Sequence, residues 1–310
     1  MRILTTNDSL APSERSVVTV GNFDGVHLGH QMLLREVGSR ARAKGLVSVA
    51  VTFEPHTRQV AYELPQYPIL STFDEKVRLI EQLPIDCLVR IPFDGPMSRK
   101  SPEEFIEEIL VKKLNCAEWV MGQGHAVGQN RTGNENFLRF IQGKYHFSTF
   151  VADLWAVEGR AVSSTQIREH IMHGRIADAA LLLGHPYLVL VERTRGRKLG
   201  IKLGYPTLNF KSPPSQKVIP PSGVYAAEME YGSRREQGAL YFGDCPTLRE
   251  KREVHFEFFS FNRGESDLPE GESASLWLHS FVRPDRKFAS SGDLSAAIAA
   301  DVEKVNTFFR

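Results

Sequence analysis

Hydrophobic positions in the first half of the chain follow two alternating periods. Short apolar, β-branched runs predict buried strands, and the segments between them carry apolar residues three and four apart, which is typical of helices. Strands that alternate with helices favour a parallel sheet, which binds ligands at the carboxyl ends of its strands. The predicted strands cover residues 16–20, 46–53, 87–91 and 119–121, and the predicted helices cover 31–37, 71–83, 102–114 and 171–183.

The second half has a different pattern. Beyond residue 187, apolar runs are separated by turn residues until helical spacing returns over 293–309. Such runs favour antiparallel pairing and a small barrel, with the last helix packed on it. We therefore expect an α/β domain over residues 1–184 and a small antiparallel β-barrel domain with a C-terminal helix over 185–310. The predicted runs are 188–191, 224–229, 238–242, 252–261 and 275–281.

Composition limits the classes of function. Of the 310 residues, 42% are hydrophobic and 24% charged, and a net charge of +1 disfavours a general nucleic-acid binder. No apolar run approaches the roughly 18 residues of a membrane span, and the first residues lack the apolar core of a signal peptide. Three scattered cysteines indicate reduced thiols. We expect a cytoplasmic protein whose partners are small molecules, with no nucleic acid and no membrane among them.

The turn after the first predicted strand carries Gly-Asn-Phe-Asp-Gly-Val-His-Leu-Gly-His over residues 21–30. A turn from a strand into a helix directs backbone N–H groups and the positive end of the helix dipole toward one crevice, which suits phosphate. His27 and His30 lie three residues apart, so they share a helix face and can donate hydrogen bonds to a triphosphate. Taken alone, histidines at this spacing are also compatible with a metal pair or with surface positions.

A second candidate for phosphate binding lies at residues 163–168, Ser-Ser-Thr-Gln-Ile-Arg. Hydroxyl groups at a helix N-terminus, with Arg168 one turn into the helix, suit phosphate oxygens. Without further context, an ordinary capped helix is the alternative.

A third candidate is the stretch 196–209, where three glycines four residues apart alternate with basic residues. The N–H groups and charges of such a loop suit the phosphates of a nucleotide. Thr207 and Asn209 alternate by two, so in an extended segment they face one side and offer oxygen atoms to Mg²⁺, a hard cation. A basic loop before a strand is the alternative that the pattern alone leaves open.

Together these motifs resemble a known family. Residues 21–30 resemble the His-x-Gly-His signature of the nucleotidyltransferase superfamily, and in their fuller form they are similar to the adenylyltransferase half of prokaryotic bifunctional riboflavin kinase/FAD synthetase. Residues 163–168 resemble that family's Ser-Ser-Thr-x-Ile-Arg motif. Residues 196–209 resemble its flavokinase motif, Gly-x-x-x-Gly-x-x-Leu-Gly-Phe-Pro-Thr-x-Asn. The resemblance extends over residues 16–308.

The resemblance implies a Rossmann-like nucleotidyltransferase domain and a flavokinase barrel, which make FMN from riboflavin and FAD from FMN with ATP and Mg²⁺. It implies that His27, His30 and Arg168 stabilise charge during adenylyl transfer. It further implies that Thr207 and Asn209 hold the magnesium–ATP. The positions implied to bind nucleotide are Gly21, Asn22, Phe23, Asp24, Gly25, Ser164, Thr165, Gly196, Gly200, Gly204 and Asn209.

The family places its catalytic glutamate in a Glu-x-His motif, and Glu253 with His255 is the match. By that likeness the Glu253 carboxylate accepts the proton of the riboflavin 5′-hydroxyl as this group attacks the γ-phosphate. The alternative for Glu253 is a solvated strand carboxylate. Glu257 faces the same side of the predicted strand but does not match the motif, and we expect it to take no part.

The chain departs from the family pattern at both sites. In the loop 122–128, Gly124 stands where the family has an acidic or amide residue, and two aromatic residues are replaced. In the second half, Ile201 replaces an arginine, and Asp-Leu-Pro-Glu-Gly at 267–271 replaces Asp-Leu-Tyr-Gly. Two alternatives therefore stand beside the bifunctional enzyme: a chain with one active half, and a regulator that binds flavin or nucleotide.

Overall fold

The computed structural model describes residues 1–122, 135–152, 156–157, 160–196, 204–244, 254–262 and 268–310. The chain forms two compact units, Met1–Ser164 and Thr165–Arg310. The domain boundary at residue 184 expected from the sequence stays a prediction.

The described residues of the first unit contain a six-stranded parallel sheet with the strand order β1-β4-β3-β2-β5-β6. The four predicted strands are its central members, and their buried β-branched residues explain why the pattern identified them. The pattern did not predict β1, which is short and exposed, or β6, which is half-buried. The strands are β1 Arg2–Leu4, β2 Ser16–Val20, β3 Val47–Glu54, β4 Cys87–Pro92, β5 Cys116–Gly122 and β6 Ser148–Ala152.

The strand order reverses beside β2. From β2 the chain adds β3 and β4 on one side, and then returns to place β5 on the other side. In open α/β sheets this switch point leaves a crevice at the carboxyl ends of the two strands, where ligands bind. The turn 21–30 follows β2 directly, so the topology places the histidine motif at the crevice.

The helices of the first unit begin and end at recognisable signals. Helix α1 follows His27 and ends at Gly45, whose φ of 63° is left-handed. Thr72 and Glu75 form a capping box at the start of α3. Ser101 caps α5, which continues as a π-helix over Ile106–Lys113 and fills the predicted segment 102–114. The helices are α1 Leu28–Lys44, α2 Thr57–Ala61, α3 Phe73–Ile80, α4 Gly95–Arg99, α5 Pro102–Phe105 and α6 Glu135–Tyr145.

Two further helices precede the barrel, and they correct one prediction. Helix α7 covers Ser164–Met172 and α8 covers Ile176–Leu183, so the predicted helix 171–183 is interrupted. Gly174 causes the break, because its φ of 72° is left-handed and ends the helical path. A short antiparallel pair, β7 Ala156–Val157 and β8 Arg160–Ala161, lies before α7 in the chain.

The described part of the second unit contains a closed antiparallel barrel with the order β10-β13-β12-β11-β14-β9. Its interior includes a stack of aromatic rings, with Phe242 lying 4.9 Å from Tyr225 and 5.1 Å from Phe256 between ring centroids. Helix α9, Ser291–Phe308, packs on the barrel as predicted. The strands are β9 Tyr187–Thr194, β10 Leu208–Phe210, β11 Gly223–Tyr231, β12 Arg234–Asp244, β13 Val254–Ser260 and β14 Ser273–Pro284.

Helix α9 is tied to the barrel by a buried ion pair, and this contact predicts a stability effect. Asp301 accepts hydrogen bonds from Arg283 Nε at 2.8 Å and Nη2 at 2.7 Å. Replacing Asp301 by Ala leaves the guanidinium without its carboxylate, and we expect a loss of about 3 kcal/mol in the free energy of unfolding. Urea unfolding of the second unit measures it, with Glu303→Ala on the exposed face of α9 as the control. Equal stabilities of the two variants would contradict this account.

Candidate active sites

The turn 21–30 is held in an unusual backbone conformation. Phe23, Gly25 and Val26 have φ values of 46°, 82° and 41°, in a region that a β-branched residue such as Val26 rarely adopts. Backbone of this kind costs about 1–3 kcal/mol per residue and persists where the surroundings fix it, often at functional sites. The turn is therefore constrained by contacts from outside it.

Asp24 supplies the main constraint. Its Oδ1 accepts hydrogen bonds from the backbone N–H groups of Leu70 at 2.8 Å and Ser71 at 3.0 Å. Ser71 Oγ accepts from Gly25 N at 3.1 Å, and Ser164 Oγ donates to the Asp24 carbonyl at 3.0 Å. The buried Asp24 side chain thus fixes the turn to the start of α3, and its contact with nucleotide stays a prediction.

Asn22 provides a second attachment. Its side-chain amide donates to Thr57 Oγ1 at 2.9 Å and accepts from Thr57 N at 3.2 Å. Phe23 is buried below the turn, and its ring meets the His30 ring edge to face at 5.4 Å. Phe23 therefore packs against His30, and Asn22 ties the turn to the start of α2, while their contacts with nucleotide stay predictions.

The two histidines lie together, as their spacing predicts. Their rings stack with centroids 3.6 Å apart, and His27 caps α1 by accepting a hydrogen bond from His30 N at 3.4 Å. His30 Nδ1 is buried and has no hydrogen-bond partner within the described residues. A buried donor or acceptor without a partner is costly, so this atom fits a ligand that completes its hydrogen bonding.

Burial controls the charge states of the groups at the turn. Burial, with the charges of His27 and Lys76, lowers the pKa of His30 well below its usual value, so His30 is neutral at pH 7. Lys76 is 2% exposed, and burial lowers its pKa although Asp24 and Glu54 act in the opposite direction. An arriving polyphosphate would favour the charged forms of these groups. The sequence offered one signal for Lys76, a charged residue on the apolar face of α3 beside Leu79 and Ile80.

The predicted site residues of α7 divide between the two units. Ser164 belongs to the first unit and contacts Asp24, whereas Thr165 and Arg168 belong to the second. Arg168 is 6% exposed. The proposed contacts of Thr165 and Arg168 with nucleotide stay predictions.

In the barrel, Gly196 and Gly204 have structural reasons to be glycine. A methyl group at Gly196 would overlap the side-chain amide of Asn209, and Gly204 has a left-handed φ of 83°. Gly196 therefore makes room for one of the predicted magnesium ligands. The contacts of Gly196 and Gly204 with phosphate stay predictions.

Thr207 and Asn209 lie together with Glu257. Thr207 Oγ1 donates to Glu257 Oε2 at 3.1 Å, and Asn209 is the ladder partner of Glu257 across β10 and β13. Directly opposed residues in a ladder share a face, so all three side chains lie on one side of the sheet. The expectation that Glu257 takes no part in the reaction stays a prediction, but the structure places Glu257 beside the two predicted magnesium ligands. Spacing within β13 could not indicate this, because the partner strand and its register are not local properties.

The oxygen atoms of Thr207, Asn209 and Glu257 fit a hard cation such as Mg²⁺. The described residues contain no group of three or more His, Cys, Asp or Glu side chains arranged for a metal.

Among the helices described here, none is long and apolar enough to cross a bilayer. Other positions considered from the sequence lie outside the described residues: Gly124, Gly200, Ile201, Glu253 and Asp267.

Comparison with known proteins identifies both units. The FAD synthetase family model matches residues 10–166, and the riboflavin kinase family model matches residues 183–309. The bifunctional riboflavin kinase/FMN adenylyltransferase of Buchnera aphidicola from Schizaphis graminum is 31% identical, over 96% of this chain and 95% of its own. The chain belongs to the bifunctional riboflavin kinase/FMN adenylyltransferase family.

Further family members match over the same extent. The enzyme of this name from Escherichia coli K12 is 31% identical, over 98% of this chain and 96% of its own. A crystal structure titled macrolide-efflux protein, from Streptococcus pneumoniae, is 25% identical, covers 98% of each chain and has a TM-score of 0.84. That title describes the other protein, and the likeness shows a shared fold over 98% of this chain. The resemblance and the fold class predicted from the sequence are confirmed.

The buried His30 predicts a dependence of stability on pH. Unfolded, this histidine titrates near a pKa of about 6.5, whereas the folded state resists its protonation. Below about pH 6.5 the unfolded state binds the extra proton, so stability falls with pH by up to about 1.4 kcal/mol per pH unit. We expect His30→Asn to lose less stability than the wild type between pH 7 and 5. Urea titrations of the first unit measure this, with His146→Asn at an exposed histidine as control. Parallel pH profiles for wild type and His30→Asn would contradict it.

The close approach at Gly196 predicts an effect confined to the barrel. Gly196→Ala forces Asn209 from its position, and we expect weaker binding of Mg²⁺–ADP to the second unit. Calorimetric titration measures the affinity. Gly143→Ala, where an added methyl meets open space, is the matched control. Unchanged Mg²⁺–ADP affinity in Gly196→Ala would mean that Asn209 takes no part in nucleotide binding.

Proposed function

We propose that this chain makes both flavin cofactors. The barrel transfers the γ-phosphoryl group of ATP to riboflavin, giving FMN, and the first unit transfers AMP from a second ATP to FMN, giving FAD. One observation carries the proposal: matches to both family models coincide with a phosphate-binding turn in one unit and an oxygen-lined cluster in the other.

Adenylyl transfer needs charge stabilisation more than covalent chemistry. An oxygen of the FMN phosphate attacks the α-phosphorus, the bond to the bridging oxygen breaks, and pyrophosphate leaves with the electron pair. The imidazoles of His27 and His30 and the N-terminus of α1 donate to the triphosphate as this charge moves. By resemblance Arg168 adds its guanidinium to the same step. The remaining candidate nucleotide contacts are Gly21, Asn22, Phe23, Asp24, Gly25, Ser164 and Thr165.

Phosphoryl transfer in the barrel joins the riboflavin hydroxyl oxygen to the γ-phosphorus of ATP, and ADP leaves with the electron pair. Gly196, Gly200 and Gly204 belong to the segment proposed to approach the phosphates. Thr207 and Asn209 would hold Mg²⁺, which neutralises charge on the triphosphate when it is bound. A carboxylate takes the hydroxyl proton, and by resemblance this carboxylate is that of Glu253.

The proposed setting is the cytoplasm. Cys87 and Cys116 are free thiols in the described part of the chain, which agrees with a reducing compartment. We also propose that the adenylyltransferase domain covers residues 1–184 and the kinase domain covers 185–310.

The direct test incubates the purified chain with riboflavin, ATP and Mg²⁺ and separates the flavins by chromatography. FMN should appear first and FAD after it, and removal of Mg²⁺ with EDTA should stop both. FMN without FAD would limit the function to the kinase. Unchanged riboflavin, with FMN also left unconverted when it is supplied, would refute the proposal.

The assignment of one reaction to each unit predicts a selective variant. His30→Ala removes a donor at the first site and leaves the barrel intact, so FAD formation should fall by at least about 10²-fold while FMN formation stays near the wild-type rate. The two rates are measured separately, from FMN and from riboflavin. Equal loss of both in a folded variant would contradict the assignment of one reaction to each unit.

A further inference from the structure

We propose that Lys76 binds the polyphosphate chain of the nucleotide at the first site. The inference rests on the proposed adenylyltransferase function and names a further binding residue for that reaction. Lys76 lies outside the three motifs that supplied the candidate phosphate-binding residues, so the inference comes from its position and surroundings in the fold.

The first support is the place of Lys76 in the fold. It lies in the first turn of α3, and the backbone that leads into this helix donates two hydrogen bonds to Asp24, at 2.8 and 3.0 Å. The charges of Asp24, in the turn after β2, and of Glu54, the last residue of β3, both act on the Lys76 ammonium group. Strands β2 and β3 are parallel neighbours, and their carboxyl ends meet at the sheet edge where ligands bind. Lys76 therefore lies at the edge that carries the histidine turn.

The second support is that the ammonium group is buried and has no direct partner. The Lys76 side chain is almost completely enclosed, and within the part of the chain that the structure describes its Nζ makes no hydrogen bond and no ion pair. Lysine is rarely buried unless it is paired, because removing an ammonium group from water is costly. Its three N–H donors are therefore available to a ligand that brings acceptor oxygens.

The third support is that the nearby carboxylates are engaged elsewhere. Asp24 accepts the two backbone N–H groups before α3, and Glu75 Oε2 accepts from Thr72 N at 2.8 Å in the capping box. These carboxylates and that of Glu54 act on Lys76 by charge, but none of them forms an ion pair with it. A phosphate oxygen at hydrogen-bond distance would attract the ammonium group more strongly than these more distant carboxylates do.

The fourth support is that His30 has the same requirement. Its buried Nδ1 has no hydrogen-bond partner among the described residues, and the positive charge of Lys76 helps to keep the pKa of His30 low. An anion with several oxygen atoms can accept from the ammonium group and also complete the hydrogen bonding of the imidazole. A metal cation would add positive charge beside Lys76, and an uncharged ligand would leave that charge uncompensated. The chemistry of the two groups together thus selects a polyphosphate.

The test compares Lys76→Met with the wild type in the full chain. Methionine is similar in length and has no charge, so the substitution removes the ammonium group and keeps the side chain's bulk. In FAD formation we expect the KM for ATP and the inhibition constant of inorganic pyrophosphate to rise by about 10–100-fold, the loss typical of a charge-assisted hydrogen bond. The KM for FMN, and the KM for ATP in riboflavin phosphorylation, should stay near their wild-type values. Lys112→Met, at an exposed lysine of the same unit, is the matched control.

Two further variants separate binding from a structural role. Lys76→Arg keeps the positive charge and should recover part of the ATP affinity. Lys76→Gln is a second neutral variant, which should show the same loss and which carries the comparison if Lys76→Met does not fold. In urea unfolding, Lys76→Met should be at least as stable as the wild type, because it removes a buried charge that has no ion-pair partner.

Several results would overturn the inference. Unchanged values for ATP and pyrophosphate in the neutral variants would mean that Lys76 does not contact the polyphosphate. An equal rise in the KM for FMN would show a distorted site instead of a lost phosphate contact. A large loss of stability with a normal KM for ATP would make Lys76 a structural counter-charge of Asp24 and Glu54. Absence of FAD formation from FMN in the wild type would refute the adenylyltransferase function itself, a result independent of all the variants.

Discussion

The first unit depends on the carboxylate of Asp24, which accepts the two backbone N–H groups that lead into α3. This contact joins the turn after β2 to a second segment of chain, and it holds Phe23 and Val26 in a backbone region they would otherwise avoid. With the turn fixed, α1 begins at a defined place and the imidazoles stack over its first turn. The geometry of the histidine turn thus follows from one buried polar residue.

In the barrel, strand pairing and packing, not a buried polar residue, fix the position of the candidate site residues. Here ladder register, held by buried phenylalanines on the opposite face of β13, places Glu257 against Asn209. Gly196 contributes by having no side chain, because any larger residue would occupy the space of the Asn209 amide. The first unit therefore positions its candidate site with the hydrogen bonds of Asp24, and the second unit does so with strand pairing and side-chain packing.

Local features were predictable from the sequence, and non-local ones were not. His27 and His30 share a face because of their spacing, and the four central strands are evident from buried β-branched runs. Strands β1 and β6 lack such runs. The break at Gly174 depends on its left-handed backbone angle, which a glycine allows but does not require. The contact between Glu257 and Thr207 was not predictable, because the two residues are 50 positions apart and meet only through the pairing of β10 with β13.

The neutral state of His30 links folding of the first unit to the binding of an anion beside the ring. Folding favours the uncharged ring, because the buried site excludes a proton, whereas a polyphosphate beside the ring favours the charged one. Folding and an anion bound beside this ring would therefore act in opposite directions on the same proton equilibrium.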